Sequence, residues 1–265
     1  MHMLTAYHYT WLLCVSIAVH LLAVCLLFVP GGWPYALIIV LGDHAALVTQ
    51  GLWPRSHWLG ANVSQVPYAK AGNAVFITID DGPCPVVTPQ VLQILAQYRA
   101  KATFFCIGEK VKQYPDLAKA IVAGGHKLEN HSMGHKYSFS LWSMYKIHQD
   151  IYEAQTVIRE VTGINPRYFR APAGLRNLFL DFVLQKLGLR LVSWTRRGFD
   201  TCQSDADKVL DRLCKNFQAG DILLLHDGNS ALTHYGNAVI LEVLPVLLQK
   251  LHENKLHSTV LPDNL

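Results

Sequence analysis

Phe76-Ile77-Thr78-Ile79-Asp80-Asp81-Gly82, followed by Pro83, is an apolar, β-branched run that stops on two adjacent carboxylates and a Gly-Pro breaker. Its composition predicts a buried strand. Two like charges side by side at a strand end are costly to place, so the run marks both a sheet and a candidate site. Outward from it, short apolar runs recur at 75–80, 102–107, 127–130, 167–170, 189–194, 221–226 and 257–261, separated by segments of helical period. Such βαβα alternation predicts a parallel sheet with helices outside. Thr88 with Pro89 reads as a helix start, with Val91, Leu92, Leu95 and Ala96 at helical spacing behind it, while Gly124-Gly125 and Gly188 mark helix ends. Ser140 to Thr162 carries Ile147, Ile151, Ala154, Val157, Ile158 and Val161 on one stripe, as an amphipathic outer helix does.

The 265 residues divide unevenly. Trp11 to Val29 is nineteen residues without Asp, Glu, Lys or Arg, close to the ~20 needed to cross a bilayer, and is expected to be a transmembrane helix. A removable signal peptide fits less well, since residues 1–10 contain no Lys or Arg and the apolar stretch is long for one. Tyr35 to Val48 is a second apolar stretch carrying Asp43 and His44, which reads equally as a re-entrant arm or a second span. The expected organisation is a membrane-anchoring segment over 1–52, a linker over 53–72 and a catalytic domain over 73–265. Arg55 and Lys70 follow the apolar region, which places that domain on the cytoplasmic face of an inner membrane in preference to the outside, attached by one or two passes. Six cysteines without C-x-x-C spacing read as free thiols. A net charge of +4 without basic-aromatic clustering excludes a nucleic-acid partner and leaves a modest attraction to membrane lipid.

Asp80, Asp81, His131, Arg170, Asp200 and His226 all fall at or just beyond the C-terminal ends of candidate strands, the catalytic face of a (β/α) barrel. Asp-Asp-Gly-Pro alone could simply close a strand. Strand alternation would send the two carboxylates in opposite directions, one toward a cation and the other toward a water or a basic side chain. His131 and His135, four apart in Asn-His-Ser-Met-Gly-His, would share one face of a helical turn and reach one ion, although such a pair also occurs in solvated helix starts. One carboxylate and two imidazoles would leave positions open for water and substrate, as in catalytic zinc sites. His226 reads either as a buried strand-end histidine or as a general acid. A guanidinium at position 170 in apolar surroundings needs a carboxylate, with Asp80 the candidate; Asp200 is a loop acid or the group that charges His226.

In order, Thr-Ile-Asp-Asp-Gly-Pro, His-Ser-Met-Gly-His, Arg-Ala-Pro and Leu-Leu-Leu-His-Asp resemble the polysaccharide deacetylases of the NodB-homology type, carbohydrate esterase family 4, over about residues 73–265. The resemblance implies a distorted (β/α)7 barrel that hydrolyses an N-acetyl amide of an amino sugar. It further implies Asp81, His131 and His135 on a divalent metal, usually zinc, and Asp80 as base. By the same resemblance His226 is the acid, Arg170 tethers Asp80, Asp200 tunes His226, a backbone N–H at Ala173 holds the oxyanion, and Leu224 lines the acetyl pocket. The chain departs from the family pattern at Ala173, where an aromatic is common, and at Arg197-Gly-Phe-Asp200-Thr201, where Asp-x-x-Asp-Trp is common. With two stacking rings lost, the expected substrate is a shorter or lipid-linked N-acetylated glycan instead of a long polymer. A catalytically inactive glycan-binding or scaffolding barrel at the membrane and a deacetylase of a non-sugar amide stand as alternatives.

Overall fold

The computed structural model describes residues 11–265; residues 1–10 of the expected anchoring segment lie outside them. Eight short strands form one sheet: β1 (Ala74–Gly82), β2 (Thr103–Cys106), β3 (Lys127–Asn130), β4 (Tyr168–Phe169), β5 (Arg190–Leu191), β6 (Arg196–Arg197), β7 (Ile222–His226) and β8 (His257–Ser258). Their order is β5-β4-β3-β2-β1-β7-β6, with β8 on β1, and every pairing is parallel. Helices intervene along the chain, and the sheet curls into the distorted (β/α)7 barrel that the resemblance implies, open between β5 and β6. Val63 closes part of that gap by pairing with Val192, which draws the expected linker onto the barrel wall.

All nine residues of β1 are buried, and its side chains alternate between two cores. Phe76 packs inside the barrel with Phe105, Tyr168, Ile222 and Leu224, whereas Val75, Ile77 and Ile79 meet Phe104, Leu223 and Leu225 beneath the helices. A strand apolar on both faces is what a helix-covered parallel sheet demands. Within the run expected at 189–194 only β5 forms, and β6 was not foreseen, because Arg196-Arg197 pairs with Leu223 and Leu224 despite its charge.

Thr88 does not cap the helix 88–97 but begins it, and Val87 is the cap. Its hydroxyl is committed elsewhere, accepting from the Cys84 N–H and donating to Asp227. The amphipathic helix runs Met144–Thr162 under Ser143, whose hydroxyl accepts from the Lys146 N–H, so it starts later than Ser140, after a 3-10 turn at Phe139–Leu141.

At the N-terminus, α1 (Trp11–Leu27) and α2 (Trp33–Leu52) pack against each other. Of the two, α2 is long and apolar enough to cross a membrane, and α1 is shorter than expected. Leu21, Leu22, Ile38 and Leu41 are exposed on their outer surfaces. Asp43 turns inward, where Ser16 Oγ donates to it at 2.7 Å and His20 Nδ1 stands 3.8 Å away. The end of α2 docks on the barrel. The Arg176 N–H donates to the Gly51 carbonyl at 3.0 Å, and a Cβ on Gly51 would sit 2.5 Å from the Arg176 carbonyl oxygen, so glycine permits the approach.

Candidate active site

The inward alternation of β1 carries through Phe76 and Thr78 to Asp80. Asp81 breaks it. Its φ is 70°, and the β1–β2 register slips between Asp80 and Gly82, a bulge that turns the second carboxylate to the same mouth as the first. The expectation that the two acids diverge is thereby corrected. Gly82 makes this possible: a Cβ there would lie 2.5 Å from Asp227 Oδ1.

His131 directly follows β3, but the residues after it are not helical, contrary to the expected helical turn. Ser132 and His135 have φ of 66° and 45°, and this loop, not helical spacing, brings the imidazoles together, with ring centroids 4.7 Å apart. Asn130 Oδ1 accepts from the Ser132 N–H, Ser132 Oγ from the His135 N–H, and Asp150 from the N–H groups of Met133 and Gly134. These braces were not singled out from sequence, because Asn130, Ser132 and Asp150 are ordinary loop and helix residues until the loop is folded.

Asp81 Oδ1 lies 3.2 Å from His131 Nε2 and 3.2 Å from His135 Nε2. His131 Nδ1 is 2.8 Å from the Arg170 carbonyl, which can only accept, so Nδ1 donates there and Nε2 is the ring atom turned to Asp81. Buried Asp81 Oδ1 has no hydrogen-bond donor in proper geometry. Two imidazole nitrogens converging on an unsatisfied carboxylate oxygen make three ligand atoms that fit a divalent cation. Burial works to raise the Asp81 pKa, but positive charge on the facing side chains of His131, His226 and His135 would outweigh it and hold the carboxylate well below its usual range, as a cation at the same point would. His135 is pushed down to about 4, first by burial and then by His131, which keeps its imidazole neutral, as a ligand must be.

Asp80 stands beside this group, with Oδ2 3.7 Å from His131 Nε2. Arg170, buried, donates to Asp80 Oδ1 at 2.7 Å, to Thr78 Oγ1 at 2.8 Å, to the Val192 carbonyl at 3.2 Å and to the Ser193 carbonyl at 2.9 Å. Its guanidinium also lies 4.1 Å from the Phe105 ring centroid, so every polar edge of a costly buried cation is engaged. On the other wall, Asp200 accepts from the His226 backbone N–H at 2.7 Å and from its Nδ1 at 2.9 Å. Burial disfavours the imidazolium, but Asp200 more than compensates, with Asp80 and Asp81 adding to it, and the His226 pKa rises.

A cavity of about 160 Å³ gathers Asp80, Asp81, His131, His135, Ala173, Leu224 and His226 on one surface. Arg170 and Asp200 stand behind it. Tyr137 and Trp194 also line the mouth, so aromatic surface is present despite the two departures from the family pattern, supplied from positions the motifs do not cover. Two further participants went unassigned. Lys110 donates to the Asp81 carbonyl at 2.7 Å, and buried Asp227, its pKa pushed up to about 7 by burial, props the Gly82 turn. Asp227 sits inside the Leu-Leu-Leu-His-Asp motif, which was the available signal.

A sequence profile described as polysaccharide deacetylase matches residues 68–192. A peptidoglycan-N-acetylglucosamine deacetylase of Bacillus cereus is 36% identical over 175 residues, covering 65% of this chain and 81% of that one. A family 4 carbohydrate esterase from Streptomyces lividans, solved in complex with acetate, superposes with a TM-score of 0.66 at 28% identity, over 73% of this chain and 95% of the other. A family 4 pseudoenzyme from Bacillus anthracis gives the same TM-score at 25% identity, over 75% and 66% of the two chains.

Proposed function

The chain belongs to the polysaccharide deacetylase family, and from that premise we propose that it is a metal-dependent N-deacetylase of an N-acetylated amino sugar, held at a membrane by α1 and α2. The observation that carries the reading is the convergence of Asp81, His131 and His135 beside an Asp80 already gripped by Arg170. A divalent cation held by the three, zinc by the chemistry of the donors, would lower the pKa of a water and polarise the acetyl carbonyl. Asp80 takes a proton from the attacking water, with Arg170 holding its carboxylate in orientation. His226, charged through Asp200, gives its proton to the sugar nitrogen as the amide C–N bond breaks, and acetate and a free amine leave. Ala173 and Leu224 border the space for the acetyl group.

A fold-alike pseudoenzyme makes the inactive-barrel alternative concrete. It is disfavoured here because base, acid and all three donor residues are in place and mutually oriented. The cysteines, all free, and the basic Arg55 and Lys70 after α2 support a barrel facing the cytoplasm of an inner membrane. The test is acetate release from chitotetraose by the full chain in detergent, before and after dipicolinate treatment and again after adding zinc. Release that the chelator stops and zinc restores supports the reading; no release from chitotetraose or from a lipid-linked N-acetylated amino sugar under any metal loading overturns it.

A further inference from the structure

A second concavity, about 320 Å³, lies where α2 meets the barrel. Leu47, Val48 and Leu52 of α2 form one wall, and Leu141, Trp142, Leu175 and Phe179 face them. Both loops that build the far wall also build the active-site mouth. The first runs from His135 and Tyr137 to Leu141 and Trp142; the second runs from Ala173 and Gly174 to Leu175 and Arg176. The groove is therefore continuous with the site along two segments of chain, and its other wall is the helix long and apolar enough to cross a membrane.

Arg176 lines this groove and is 4% exposed. It contrasts with Arg170, whose donors are matched on every side. Arg176 Nη2 donates to the Trp53 carbonyl at 3.0 Å and to the Gln50 carbonyl at 3.5 Å, but Nε and Nη1 are buried without a partner. Asp181 favours its charge from a distance, while one carboxylate oxygen of Asp181 accepts from Gln185 Nε2. Nε and Nη1 lie on different edges of the guanidinium, each shared with the committed Nη2, so two single donors are left over; a buried cation with unmet donors is costly unless an anion oxygen reaches them, and a phosphate oxygen can do so.

We propose that the groove seats the hydrocarbon chain of a polyisoprenyl-phosphate-linked N-acetylated amino sugar, with Arg176 taking the phosphate, so that the sugar extends along the two shared loops into the catalytic mouth. This rests on the deacetylase reading and names its substrate class. The chain enters from the α2 side, where a bilayer would deliver it; the charge is met at the groove; the reacting acetamido group lies beyond.

The test uses the full chain in nanodiscs and follows binding of dansyl-farnesyl phosphate against dansyl-farnesol. The phosphate probe is expected to bind at least about tenfold tighter, as a charge-assisted contact implies. Arg176→Gln should bring the two probes to equal affinity. Because Arg176 also ties α2 down, a second variant is needed. Leu141 is exposed, so Leu141→Asp leaves packing intact and should weaken binding of both probes several-fold. Equal binding of the two probes by the unaltered chain overturns the proposal. So does a preference that survives Arg176→Gln in a protein of unchanged circular dichroism, or competition by phosphatidylglycerol as effective as by farnesyl phosphate, which would mark a bulk-lipid headgroup site. Since the readout is binding, chitotetraose hydrolysis with no farnesyl-phosphate binding removes the groove alone, whereas binding without hydrolysis of any substrate removes the deacetylase reading.

Discussion

Two groups of side chains in the described residues bring a carboxylate and two imidazoles within 4.8 Å of one another: Asp81, His131 and His135 at the barrel mouth, and His20, Asp43 and His44 between α1 and α2. By distance alone they are equivalent. They differ in what the donor atoms already do. Asp43 Oδ2 accepts from Ser16, and His20 and His44 stand on exposed helix surfaces with Nδ1 turned to carbonyls one turn back. Asp81 Oδ1 is buried and unsatisfied, and the loop carrying the histidines is braced from behind. Proximity alone makes a cluster; the first arrangement ties two helices together, whereas the second leaves a rigidly held acceptor that a cation would satisfy.

The largest effects should come from the barrel mouth. His131→Ala or His135→Ala is expected to remove both bound zinc, read by elemental analysis, and turnover. Asp80→Asn should retain zinc and lose about 10²–10⁴-fold in rate, the range for a general base. The double variant His20→Ala/His44→Ala should still carry one zinc per chain. A drop in metal content there would erase the distinction between the clusters.

An intermediate effect is expected at Asp200. His226 must be protonated to act as acid, and its raised pKa extends that form to higher pH, with activity falling as pH climbs through it. Stability follows the same sign: the His226–Asp200 contribution is complete below the unfolded histidine value and is lost as pH rises through the folded one. Asp200→Asn removes the charge that overcomes burial, so the alkaline limb of the kcat profile should move to lower pH, with about tenfold or greater loss at neutral pH. An unmoved limb would assign the acid elsewhere. The smallest effect belongs to the other cluster. Ser16→Ala should weaken α1–α2 association by about 0.6 kcal/mol, measured by resistance to SDS, and leave acetate release unchanged.

The barrel was largely legible because it depends on period and order: every predicted strand run contains a strand, and the residues that end them share one face. What escaped was backbone conformation that no periodicity encodes. Alternation sends Asp81 away from Asp80, and spacing puts His131 and His135 on a helix; a bulge at Gly82 and left-handed residues at Asp81, Ser132 and His135 decide otherwise. Thr88 likewise fits a capping rule locally and loses to a tertiary partner, Asp227. Arg176 gave no signal because an arginine in a loop is unremarkable until α2 packs over it.

Those left-handed residues have a further consequence. Asp81, Ser132, His135 and Ala173 all lack the freedom of glycine yet hold positive φ around one pocket, each at a cost on the order of 1–3 kcal/mol. Half of the eight non-glycine residues with positive φ among the described residues thus stand at the mouth, which is shaped in advance at the expense of folding. A tightly held occupant offsets that cost by mass action, so the melting temperature of this protein should serve as a gauge of what its mouth contains.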